Sequence, residues 1–371
     1  PSGFLALCTA NLPDPVATVD PAQGGSPQDY FNTVLYSGDD GTQAITGVGF
    51  QPDWVWIKSR NHAYNHNTFD SVRGVNKVLL ANTAAAEDAG GAGDLNSFDT
   101  DGFTVRQNSN YELSDSGKTY VAWNWKAGTA FSNDASATSV GSIDSAGSVN
   151  TDVGFSIIGY TGTGSNGTIA HGLGVTPEMY IVKRRDADGH SWPVYTSTLG
   201  ATKQLRLSGT NAEITTANIW NNTEPTSSVF SVGTNTDSNA SSGTHIAYCF
   251  ASVDGFSKVG SYTGNGNADG PFVYLGFRPA FVILKGISAD GGGWMMYDNT
   301  RIPYNLNSAK LIANIAEGEN ANAAGGSSLG VDFLSNGFKH RNDSGANHNT
   351  NGNIYIYMAF AEQPFKYANA R

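Results

Sequence analysis

Asp99-Thr100-Asp101-Gly102 and Asp186-Ala187-Asp188-Gly189 are the runs best suited to metal chemistry, because clustered carboxylates on a tight turn open a calcium loop. Neither reaches the distal glutamate that completes such a loop. Asn336-Gly337-Phe338 later stands where Asp101-Gly102-Phe103 stood, keeping the turn and losing the charge, so a structural turn is the expected role. His62 and His66 have metal-like spacing for a helix, but Asn61, Asn65 and Asn67 around them indicate a solvated loop, where that spacing carries little. No metal or cofactor is expected.

Sugar recognition needs an exposed ring for the apolar face of the sugar and amides or carboxylates for its hydroxyls. Tyr64, Trp192, Trp220, Trp294 and Tyr297 lie in or beside segments rich in Asn, Asp and Gly, and are the candidate ligand contacts; core packing is the competing role. No nucleophile elbow, phosphate loop, metalloprotease helix or Cys/His pair is found, and Glu87, Glu213 and Glu317 fall in unlike contexts, so no catalytic residue is assigned and the chain is read as a non-enzyme. Cys8 and Cys249 fall in unlike settings and do not make a disulfide framework.

The formal net charge of −11 opposes nucleic-acid binding, and no apolar run is long enough for a membrane span. No signal peptide is visible, and without an initiator Met the chain reads as a fragment or a processed product. With 45 Gly, 14% charged residues and 11% aromatics, it has frequent turns and enough apolar matter to fold.

The strongest signal is internal repetition. Pro52-Asp53-Trp54-Val55-Trp56-Ile57-Lys58, Pro177-Glu178-Met179-Tyr180-Ile181-Val182-Lys183 and Pro279-Ala280-Phe281-Val282-Ile283-Leu284-Lys285 each place proline six positions before lysine. Each copy closes on a second anchor, Tyr120 to Trp125, His245 to Phe250 and Tyr355 to Phe360. The first and third copies also share Asp70-Ser71-Val72-Arg73 with Asp298-Asn299-Thr300-Arg301, where the middle copy has drifted to Thr196-Ser197-Thr198-Leu199. The first anchor is apolar at consecutive positions, which predicts a strand covered on both faces, and the closing anchor behaves similarly, with Val121, Trp123 and Trp125 and their equivalents on a core face and the small or polar Ala122, Asn124, Ala247, Cys249 and Ala359 on the other. Lys58, Lys183 and Lys285 are expected where the first anchor emerges into water.

The fold class is therefore all-β, with three tandem antiparallel β-sandwich or jelly-roll-like repeats of about a hundred residues. Residues 1–28 are read as an N-terminal linker or the remnant of a preceding domain, 29–128 as repeat one, 129–152 as a Ser/Ala/Gly linker, 153–252 as repeat two, 254–364 as repeat three and 365–371 as a tail. The one helix weighed is Ala84 to Ala89.

The stretches Gly49 to Lys58, Asp70 to Gly74, Ser97 to Val105 and Tyr120 to Ala127 resemble the repeated β domain of tail-fibre-like and other structural virion proteins of tailed, especially marine, bacteriophages. The opening Gly3 to Pro13 is similar to the end of a lectin-like domain that often precedes such repeats. The resemblance implies a structural protein at the virion surface, extracellular, spacing or presenting host-recognition surfaces. Its implied partners are further copies of the chain as a homotrimer, other virion proteins and a host cell-surface glycan, and it brings no catalytic residues. The alternatives are a secreted adhesin or carbohydrate-binding module array and, less favoured, a polysaccharide depolymerase.

Overall fold

The computed structural model describes residues 11–88, 94–107, 111–319, 330–341 and 348–368. In each copy the proline-led anchor forms the middle strand of an inner sheet. In the first, Trp54–Ser59 pairs with the closing strand Thr119–Trp125 on one side and Asn67–Asp70 on the other, with Phe31–Ser37 and Leu79–Leu80 at the edges. The third copy repeats this order with Ser257–Thr263, Ile354–Pro364, Phe277–Gly286, Met295–Asp298 and Leu311–Ile312. All strand pairing in the sheets is antiparallel. A smaller outer sheet, Thr42–Thr46, Gly102–Arg106 and Leu95–Asp99 in the first copy, covers one face of the inner sheet and encloses a core that includes Ile45, Val55, Ile57, Phe103 and Ala122. Tyr36, Tyr160 and Tyr262 hold the same place in the three copies, each donating its hydroxyl to a backbone carbonyl, of Leu113, Ser238 and His348.

The other face of each inner sheet meets the other two copies. Trp54, Trp56, Trp123 and Trp125 from the first sandwich, Phe155, Ile181, Tyr248 and Phe250 from the second, and Phe281, Ile283, Met358 and Phe360 from the third form one continuous apolar core. Rings from different copies lie in direct contact: Trp54 on Tyr248 at 4.5 Å between centroids, Trp123 on Phe281 at 5.6 Å, and Phe250 on Phe360 at 6.1 Å. Both faces of the anchors are therefore apolar for different reasons, one facing the private core of the sandwich and the other the shared core.

The stretch 129–152 is not a linker. Thr129–Asn133 and Ser145–Asn150 pair with each other, and the second pairs with Phe155–Thr161, so that with Ile214–Thr215 at its opposite edge the inner sheet of the middle copy grows to eight strands. Its small residues permit close approach: a Cβ on Gly147 would come within 1.8 Å of the Ile157 carbonyl oxygen. Nor do residues 11–28 hang free, since Val19 is buried in the shared core and the Asp20 carboxylate caps a short 3-10 turn and accepts from Tyr367 at 2.7 Å. The expected helix at Ala84 is absent through Asp88: residues 84–87 have no regular structure and Asp88 bridges to Val78, while Ala89 lies outside the described residues. Cys8 and most of the Gly3 to Pro13 stretch also lie outside them.

Candidate functional site

Of the five candidate ligand contacts, four are packed away. Trp192, Trp220, Trp294 and Tyr297 are at most 1% exposed, so none offers a face to a sugar. The polar loops around these rings are folded against neighbouring elements, and that surrounding is what the sequence hides. Trp220 packs edge-on to Tyr180 and donates Nε1 to the Lys203 carbonyl, while Tyr297 lies in the core of the third sandwich beside His348. Tyr64 is half-buried, and its hydroxyl donates to Asp115 at 2.5 Å. The acidic runs are equally committed: Asp101 accepts from the backbone N–H groups of Gly47 and Gly49, Asp186 pairs with Arg184, and Asp188 accepts from the Ala86 N–H. His62 is in an exposed loop; His66 is buried and accepts a hydrogen bond from Trp56 Nε1 at 3.0 Å.

Trp192, Trp294, His66 and Asp188 instead belong, with three glutamates, to three equivalent joints between the copies. In each, a glutamate eight positions past a short strand donates its backbone N–H to the carbonyl two positions past the anchor lysine of the next copy. Glu87 reaches Arg185 (2.8 Å), Glu213 reaches Ile287 (3.0 Å), and Glu319 reaches back to Arg60 (2.6 Å), so the series closes into a ring. Glu317, singled out on sequence, is exposed; Glu319 is the residue equivalent to Glu87 and Glu213, a match that counting from Leu79, Leu205 and Leu311 reveals. Trp192 Nε1 donates to the carbonyls of Leu80 and Thr83 across the first joint, and Trp294 Nε1 donates to that of Arg206 across the second. At the third, His66 takes the tryptophan's place and lies against the carbonyls of Ile312 and Ile315 without Nε2 reaching normal hydrogen-bond geometry.

Charge is placed by the same rule. The Asp70–Arg73 pair is wholly buried and accepts from Tyr248 of the second copy at 2.7 Å; the Asp298–Arg301 pair accepts from Trp123 of the first at 3.1 Å. In the second copy the equivalent position is Thr196, and the residue equivalent to the two donors is Met358, so acceptor charge and donor are lost together. The departure of the middle repeat at Thr196 is thus matched by the loss of its donor at Met358. Burial works against the Glu87 carboxylate, but hydrogen bonds and charge from Arg185 and Arg73 outweigh it and hold its pKa below the usual value.

The repeated lysines do not emerge into water. Lys58, Lys183 and Lys285 have no exposed surface. Lys58 Nζ donates to the carbonyls of Ser59 and His62, Lys183 Nζ to that of His190, and Lys285 Nζ to those of Thr210 and Gly292. They share the strand face of Trp56, Ile181 and Ile283, and so cap one end of the shared core. Desolvation pulls their pKa down, to about 7 for Lys58 and about 8 for Lys183 and Lys285.

Residues 26–364 match, as a single unit, a domain of unknown function designated DUF7483. The chain belongs to the DUF7483 family. The matched DUF7483 span takes in all three sandwiches, so the family's unit is the closed ring and not one hundred-residue repeat. The DUF7483 description carries no activity, ligand or location. Neither the curated proteins nor the solved structures gave a match. The described residues of this DUF7483 ring form, among other concavities, two surface hollows. One is an open groove of about 490 Å³ between the first two sandwiches, lined by Val72, Asp134, Asp144 and Arg185 among others. The second, of about 230 Å³, lies where the N- and C-terminal segments meet the third sandwich beside Tyr274.

Proposed function

We propose that the chain is a rigid, non-catalytic structural block of an extracellular surface assembly, with the surface of a tailed-phage virion as its setting. The observation that carries this reading is the set of three equivalent joints closed into a ring around one aromatic core. All seven tryptophans are buried, six of them in the shared core; three of those six, Trp123, Trp192 and Trp294, donate to another copy, and Trp220 packs inside the second sandwich, so most of the indole chemistry of the sequence holds the copies together. Heterologous contacts that return on themselves fix both number and orientation, which suits a part that spaces or presents something else. The sequence resemblance supplies the virion setting.

Immunogold electron microscopy with antibodies raised against residues 26–364 tests the location. Labelling at one defined place on tailed particles is the expected result; antigen found only free in the medium would move the chain to the secreted adhesins. The threefold arrangement that fibres draw from three chains is already present within one, so light scattering is expected to give the 39.0 kDa of a single chain. Three times that mass would restore a homotrimer.

A further inference from the structure

Threefold repetition provides an internal standard. Where the three copies share a residue type, the ring's construction accounts for it; where one copy departs at an exposed position, the ring does not. One exposed departure pairs two aromatic rings on a single strand, the edge strand Phe272–Tyr274 of the third outer sheet, where Phe272 is 44% and Tyr274 53% exposed. Pairing register identifies the counterparts. Val273, Ile45 and Ile169 face Phe338, Phe103 and Phe230, all buried, and flank the positions in question. Phe272 and Tyr274 correspond to Ala44 and Thr46 in the first copy and to Thr168 and Ala170 in the second. Two copies fold with small or hydroxylated residues there, so neither ring is needed for the sandwich.

Residues i and i+2 of a strand share a face, and the two side chains leave the strand about 7 Å apart. Tyr274 lines the concavity of about 230 Å³ at the meeting of the terminal segments. Lys258 steadies it, with Nζ 5.4 Å from the ring centroid and donating to the Tyr274 carbonyl at 3.1 Å. Around the ring stand two carboxylates, Asp14 and Asp254, and two ammonium groups, Lys258 and Lys366, with Lys366 paired to Asp14. Neither sign prevails. Asp254 is exposed and its side chain makes no hydrogen bond or ion pair among the described residues, so it stands open as an acceptor.

We propose that Tyr274 and Phe272, with Asp254 and Lys258 at the rim, form a binding site for a neutral carbohydrate chain. The rings give apolar C–H faces somewhere to stack, while the rim offers a carboxylate acceptor and ammonium donors to hydroxyls. Balanced charge disfavours phosphates and polyanions, which want an excess of donors. The site is single, on the third copy, and separate from the buried tryptophans.

Affinity electrophoresis and calorimetry on the full chain test it, with soluble cellulose derivative, xylan, laminarin, dextran and chitohexaose as neutral probes, and polygalacturonate and heparin as anionic ones. At least one neutral probe is expected to retard the chain, and Tyr274→Thr with Phe272→Ala, which copies the first repeat, is expected to weaken that binding tenfold or more with the melting temperature unchanged. Asp254→Asn is expected to weaken it severalfold. The proposal is overturned if no neutral probe binds, if only the anionic probes bind, or if the double variant binds like the parent. It is equally overturned if the parent self-associates in light scattering and the double variant does not, because the rings then belong to a contact between copies.

Discussion

Arg73 is held at 3% exposure by Asp70, Glu87, and the carbonyls of Thr68 and Lys77. Removing a buried cation leaves its partner charged and dry, which costs about 3–5 kcal/mol. Arg73→Met is therefore expected to lower stability by that amount in urea titrations, and an effect under 1 kcal/mol would contradict the buried pair. The three lysines set a pH dependence. Their folded pKa values, about 7 to 8, lie below the 10.5 of a free lysine, so the cost of burying charge is fully present at neutral pH. That cost fades as pH rises from 7 towards 10, because the folded state sheds protons the unfolded chain retains. The urea midpoint should thus rise between pH 7 and 9.5 relative to that of Lys183→Met/Lys285→Met, and parallel profiles would count against it. On the acid side, burial holds His66, His171, His245, His340 and His348 below the ordinary histidine value. The unfolded chain then takes up protons first, and the midpoint should fall as pH drops from 6.5 to 4.

Strands were legible wherever a pattern was both local and repeated. The anchors at Trp54, Met179 and Phe281 and the closing strands at Val121, Ile246 and Ile356 lie where consecutive apolar residues put them. What covers their second face was not legible, since a run such as Trp54-Val55-Trp56-Ile57 reads the same whether a helix, a sheet or a sister copy packs on it. Trp192 and Trp294 looked like loop residues available to ligand because their partners, the carbonyls of Leu80 and Arg206, come from another copy and leave no mark in the local sequence. The hairpin over 129–150 was misread because Gly, Ala and Ser describe a flexible tether and a tightly packed edge strand equally well. Gly147→Val tests that element. The added side chain clashes with the Ile157 carbonyl, so proteases should cut between 130 and 150 well before the rest of the chain, whereas the parent should be cut there no faster than elsewhere.

At the scale of the molecule, the shared core makes the copies interdependent. A second sandwich excised as residues 129–252 would expose Phe155, Met179, Ile181, Tyr248 and Phe250 together, an apolar face too large for a soluble monomer. It is expected to aggregate or to bind a hydrophobic dye strongly, while the full chain melts in one calorimetric transition. Three separate transitions would mean that the joints contribute little. The entry and exit segments cross at one pole, where Asp14 meets Lys366 and Asp20 meets Tyr367. A surface loop of an unrelated protein would have to part by little more than the width of that crossing to receive the whole block as an insert, leaving the host's own strands in register on either side.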